Sequence, residues 1–130
     1  MGVRYVLDTC ALLSLGGMVD KALSSLTRQR LNQADALMVS PISLYEMGVK
    51  WKKGLLVLSP DPEFFWEQSI KVYDLSPVPI EAAVLAKAYN LPDIHRDPFD
   101  RIIIAQAMLL AVPVVTFDPV FAAYGIRTVC

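Results

Sequence analysis

The sequence is poor in cysteine, histidine and charge. Cys10 and Cys130 are its only cysteines and no CxxC pair exists. That excludes a disulfide framework and a zinc–thiolate site, and it points to a reducing, cytoplasmic setting. His95 is the single histidine, so no chemistry can rest on a histidine pair. Charged residues make up 19%, and twelve Lys and Arg against thirteen Asp and Glu leave a net charge of -1. Without a global positive excess to attract phosphate, a general basic nucleic-acid binder is excluded. A hydrophobic fraction of 55% excludes intrinsic disorder. A membrane-length apolar run is also missing. The longest nearly uncharged stretch, 102–117, is interrupted by Gln106 and Pro113 and bounded by Arg101 and Asp118, short of the roughly 20 residues a span needs. The start, Met1-Gly2-Val3-Arg4-Tyr5, lacks the features of a signal peptide, and Val6 stands where a myristoylation signal has Ser or Thr.

What the chain does have is apolar content. Its 130 residues are one domain's worth, taken as a single domain over 1–130, with a mean hydropathy of +0.44. That content goes into a dense core, a partner interface, or both. Tyr5-Val6-Leu7 is an apolar run ending at Asp8 and reads as a buried strand. Thr9 begins a short helix that Gly16-Gly17 stops. Val19, Ala22, Leu23, Leu26 and Leu31 have helical spacing, which predicts a helix over 19–31. Ala36-Leu37-Met38-Val39 is a second buried strand. Ser40-Pro41, an N-cap followed by proline at the first helical position, opens a helix reaching about Gly54. Asp61-Pro62-Glu63 opens another. An edge strand is predicted over 72–75 and a helix over 79–89. The longest helix, over 99–111, follows Asp97-Pro98, and strands are predicted over 114–117 and 126–129. Continuous apolar strands alternating with helices predict an α/β domain, a three-layer α/β/α arrangement around a central, mainly parallel sheet.

Ligands of such sheets bind at the carboxyl ends of the strands. Two strong strands run directly into aspartate, at Asp8 and Asp118. Glu46 lies in the second turn of the Ser40-Pro41 helix and can point back to the same rim. Asp97 and Asp100 open the longest helix. Five acids distant in sequence can thus converge, and converging carboxylates repel unless a cation joins them. Oxygen-only ligands favour Mg²⁺ or Mn²⁺. Such an ion activates water and neutralises a phosphoryl oxygen, which suggests phosphodiester hydrolysis without a covalent intermediate. Blander readings stand beside this one. Asp97-Pro98 and Asp118-Pro119 are good cap pairs, and Asp100 suits a helix's first turn. Glu46 can pair with Lys50 at i,i+4. Thr9 can cap its helix or hydrogen-bond a ligand. Asp61, with the same proline pairing but no strong strand before it, is a cap only. Asp8, between two apolar runs, needs a partner in either reading.

Four blocks then align in order and spacing with a known family. They are Val6-Leu7-Asp8-Thr9-Cys10-Ala11-Leu12-Leu13, Ser40-Pro41-Ile42-Ser43-Leu44-Tyr45-Glu46-Met47, His95-Arg96-Asp97-Pro98-Phe99-Asp100-Arg101-Ile102-Ile103-Ile104-Ala105-Gln106-Ala107 and Val115-Thr116-Phe117-Asp118. The chain resembles the PIN-domain family, in particular the VapC-type toxins of toxin–antitoxin pairs, over nearly its whole length. The third block is the most specific. The resemblance implies a Mg²⁺- or Mn²⁺-dependent endoribonuclease that cuts single-stranded RNA. It makes Asp8, Glu46, Asp100 and Asp118 the acidic quartet and metal ligands, Asp97 the extra acid of the toxin-like subgroup, and Thr116 a hydroxyl beside the site. It also implies a homodimer, a VapB-type antitoxin that blocks the site, and a larger toxin–antitoxin assembly.

Other residues carry weaker signals. His95 is expected to be an exposed loop residue. Arg96 and Arg101 flank the acids and are candidates for RNA phosphate contacts with Lys50; Arg101 has a second reading as an ion-pair brace of Asp97. Lys52 and Lys53 read as solvated charges favourable at a helix end. Trp51, Phe64, Phe65 and Trp66 read as core or interface packing rather than base stacking, and Cys10 as inert. Two other functions fit the layout, a non-catalytic binding module whose acids hold a basic partner segment and a phosphoreceiver- or phosphatase-like domain. The latter needs an acid cluster near one strand end, and no acid directly follows Ala36-Leu37-Met38-Val39. Finally, thirteen acidic residues less the five candidates leave eight, against twelve basic ones. A near-neutral chain can therefore pair an acidic pocket with a mildly basic surround.

Overall fold

The computed structural model describes residues 2–130. Five parallel strands form one sheet in the order β3-β2-β1-β4-β5, with β1 Arg4–Leu7, β2 Ala36–Val39, β3 Leu75–Pro77, β4 Val114–Val115 and β5 Thr128–Val129. The helices are α1 Thr9–Leu15, α2 Ser25–Asn32, α3 Pro41–Lys52, α4 Pro62–Tyr73, α5 Ala82–Tyr89 and α6 Pro98–Leu110, with a 3₁₀ helix over Pro119–Tyr124. The period-two alternation of a strand sorts the core into two layers. Tyr5, Leu7, Val39 and Val115 face a cluster with Leu12, Leu31, Met47, Leu58, Trp66 and Ile70. Val6, Met38 and Val114 face the other side, against Ile103, Ile104, Ala107, Leu91 and Phe121. Both faces are covered, which is the three-layer α/β/α arrangement expected of parallel strands joined by helices.

The sequence misplaces several boundaries, for local reasons. The helix expected over 19–31 begins only at Ser25. Ser24 caps it by accepting from the Thr27 amide at 3.1 Å, while Val19 and Leu23 reach the core from irregular chain. The edge strand begins only at Leu75, the last residue of the range 72–75 expected for it. Helix α4 runs on through Val72 and Tyr73, whose hydroxyl donates to the Leu15 carbonyl at 2.7 Å. The turn out of the helix is made at Asp74, φ 53°, a left-handed conformation aspartate tolerates. Helix α5 starts three residues later than predicted, at Ala82. The last two strands keep only two residues each, although the Thr116 amide still donates to the Val129 carbonyl at 3.0 Å.

Candidate metal centre

All five acids line one cleft of about 500 Å³ at the carboxyl ends of the strands. Size does not distinguish it, since an apolar groove between α3 and α4 reaches about 650 Å³; the carboxylates do. Strand pairing builds the floor. Leu7 and Val115 are register partners, and the Asp8 amide donates to the Val115 carbonyl at 3.1 Å. Asp8 is 4% exposed. Its Oδ1 accepts from the Ala11 amide at 2.8 Å, so it caps α1, and its Oδ2 accepts from the Thr116 hydroxyl. Burial pushes its pKa up to about 6; the hydrogen bonds from Thr116 and Ala11 oppose the rise, and the charges of Glu46 and Asp118 add to it.

Asp97 and Asp118 are also caps. Asp97 Oδ1 accepts from the Phe99 amide at 2.8 Å, and Asp118 Oδ1 from the Val120 amide at 2.9 Å. Capping fixes one oxygen of each, and both acids still line the cleft, so the structural and functional readings of these acids are compatible. The Asp118 amide donates in turn to Thr116 Oγ1 at 3.0 Å, so Thr116 links Asp8 and Asp118. Asp100, in the first turn of α6, has its pKa pushed up to about 8, by burial first and then by Asp97, Glu46, Asp8 and Asp118. Glu46, buried on α3, receives Lys50 Nζ on Oε2 at 2.8 Å. Its Oε1 is buried and has no hydrogen-bond partner among the described residues. For Lys50, burial works against the charge, but the Glu46 bond and the charges of Glu46, Asp97 and Asp100 outweigh it and push the pKa up.

Three expectations need correction. Thr9 neither caps α1 nor bonds an acid; its hydroxyl donates to Ser43 Oγ at 2.8 Å and ties α1 to the helix that carries Glu46. Arg101 neither braces Asp97 nor offers itself to phosphate. Its guanidinium donates to the carbonyls of Pro92, His95, Ala88 and Leu91 at 2.8–3.1 Å, which pins the α5–α6 loop. His95 is not exposed: its side chain is 14% accessible, with Nε2 3.0 Å from both Asp100 Oδ2 and Asp118 Oδ2. Arg96 is exposed, next in the chain to the cleft residue Asp97. Trp51, Phe65 and Trp66 pack on the core while Phe64 faces solvent. Burial, then the charge of Asp8, raises the Cys10 thiol pKa, which keeps it inert. Sequence reasoning missed Lys21, which lines the cleft with Nζ 5.7 Å from the centre of the Phe117 ring. It lies in the stretch misread as helix.

The donor set is all oxygen, it includes a buried carboxylate oxygen with no partner, and the five acids share one cleft. These features suit a hard divalent cation better than an empty pocket. Comparison with known proteins bears on the family and the fold. Residues 5–126 match the family model of the PIN domain. Among curated proteins none matches significantly. Solved structures similar in fold include VapBC2 from Rickettsia felis bound to a promoter DNA fragment (15% identity, 97% of each chain, TM-score 0.67). Others are DNA-bound VapBC from Salmonella typhimurium (20% identity, 97% of this chain and 96% of that one, TM-score 0.66) and FitAcB from Neisseria gonorrhoeae (16% identity, 97% and 96%, TM-score 0.65).

Proposed function

The chain belongs to the PIN-domain family, and from that premise we propose that it is a Mg²⁺- or Mn²⁺-dependent endoribonuclease, a VapC-like toxin restrained by a VapB-like antitoxin. The observation that carries the chemistry is Glu46 Oε1, buried without a partner in a cleft shared with four other acids. A buried acceptor left unpaired is costly, and a bound cation removes the cost. Asp8, Glu46, Asp97, Asp100 and Asp118 would hold it. When bound, such an ion supplies an activated water and neutralises charge on a phosphoryl oxygen. The chain's own residues do the rest. Thr116 and Ala11 fix Asp8 so that its remaining lone pairs keep one direction. Asp100, with a pKa near 8, holds a proton at neutral pH in the empty cleft and gives it up on loading. Lys50 compensates one carboxylate charge, and Lys21 and Arg96 provide rim cations for an RNA backbone.

The partner reading draws on two supports. The similar folds above come from VapBC and FitAB complexes. Here, Tyr45 on α3, Phe64 on α4, and Leu85, Tyr89 and Leu109 on α5 and α6 leave large apolar side chains in solvent, surface suited to an antitoxin and to a second protomer. No helix among the described residues is long and apolar enough to cross a membrane; a cytoplasmic site of action is part of the proposal. The test is cleavage of total RNA by the purified chain with Mg²⁺, with Mn²⁺ and with EDTA. Discrete, metal-dependent cuts are expected. A protein that binds a basic partner but cuts no RNA with either ion would favour the non-catalytic binding module instead.

A further inference from the structure

The inference rests on the metal-centre reading above and concerns His95. Its Nε2 lies 3.0 Å from Asp100 Oδ2 and 3.0 Å from Asp118 Oδ2. The three groups converge closely enough to pass for a ligand trio, with ligand atoms all within 4.8 Å of one another. The other ring nitrogen decides otherwise. Nδ1 faces the backbone N–H of Asp97 at 3.2 Å. An amide N–H only donates, so Nδ1 accepts and carries no proton. The proton of the neutral ring is then on Nε2, which has no lone pair left for a cation.

The ring is also held in place. The His95 amide meets the Tyr124 hydroxyl at 2.7 Å, and its carbonyl accepts from Arg101 Nη1 at 3.1 Å. The imidazole packs edge-on against Phe121, itself fully buried, with ring centres 5.9 Å apart. Nε2–H is therefore presented at a fixed point between an acid of α6 and the acid that caps the 3₁₀ helix. We propose that His95 is a positioning residue and not a ligand: its Nε2–H donates to Asp118 Oδ2 and holds that carboxylate beside Asp100, which sets the spacing of the acids that receive the cation. Outer hydrogen-bond partners of ligating groups have this role in many metal sites, and their loss typically costs 10–100-fold in metal affinity.

The chain has one histidine, so a nitrogen-15 spectrum tuned to imidazoles contains only the two nitrogens of His95. The metal-free protein is expected to show a neutral ring protonated at Nε2, and Mg²⁺ is expected to leave that tautomer in place. His95→Ala, checked for folding by circular dichroism, should bind Mg²⁺ about 10–100-fold more weakly by calorimetry. His95→Gln, which keeps a side-chain N–H donor, should recover most of the loss. A histidine serving the fold alone would lower Tm and leave the Mg²⁺ affinity of the folded protein unchanged. A ring protonated at Nδ1, or a folded His95→Ala that binds Mg²⁺ as tightly as wild type, overturns the proposal. If His95→Ala does not fold, the wild-type ring spectrum still decides. Wild-type protein that takes up neither Mg²⁺ nor Mn²⁺ contradicts the proposed function, and the ring spectrum then judges the His95–Asp118 bond by itself.

Discussion

Asp8 and Asp100 show how single side chains are set against the fold's own stability. Both ionise less readily in the folded chain than an ordinary aspartate, with pKa values near 6 and 8 against 3.8. The folded state therefore holds more protons than the unfolded one between pH 4 and 8, and stability falls as pH rises through that window. Denaturant unfolding in EDTA should show this decline, and Mn²⁺ should offset it increasingly toward pH 8, where its binding displaces fewer protons. Asp100→Asn should stabilise the metal-free protein at pH 7, by on the order of 2 kcal/mol, while weakening Mn²⁺ binding. A variant less stable than wild type in EDTA would mean that Asp100 serves the fold. The acids were legible in the sequence because strand ends and proline-marked caps locate them. His95 and Lys21 were not. His95 depends on a loop pinned by Arg101, and Lys21 on a segment whose apolar spacing imitates a helix.

At the scale of elements, α6 does the most to join core and cleft. Its N-cap is Asp97, its first turn carries Asp100, and Ile103 and Ile104 fill the layer beneath the sheet. Arg101 fastens the preceding loop to it through four carbonyls. Removing a buried donor that serves several acceptors is expensive. Arg101→Met should cost roughly 2–4 kcal/mol in denaturant unfolding, and Arg101→Lys should recover little, because an ammonium cannot match the planar fork. A cost under about 0.5 kcal/mol, the range of ordinary surface positions, would contradict the assigned role. Helices that open on a cap pair, α3, α4 and α6, were legible from sequence. Strands β4 and β5 were legible in place but not in length, because their ends are set by the ladder between them rather than by their own residues.

For the whole molecule, the near-zero net charge averages two regions, an acidic cleft and a mildly basic remainder. The high apolar content resolves into two core layers plus side chains such as Leu85, Tyr89 and Leu109 that remain in solvent. Light scattering should find a dimer, and Tyr89→Glu with Leu109→Glu should shift it toward monomer; a wild-type monomer at all concentrations would remove the second-protomer reading. The three-layer fold was legible because continuous apolar strands alternating with helices have few other solutions. Everything proposed for this protein turns on the cleft being a metal-dependent nuclease centre. The most direct measurement is the rate of Mn²⁺-dependent RNA cleavage by wild type and by Asp8→Asn, both verified as folded. Asparagine retains a capping oxygen for the Ala11 amide, so the fold should survive while cleavage falls at least about 100-fold, within the range for loss of a group acting on the transition state. Cleavage by the folded variant at the wild-type rate would contradict the claim.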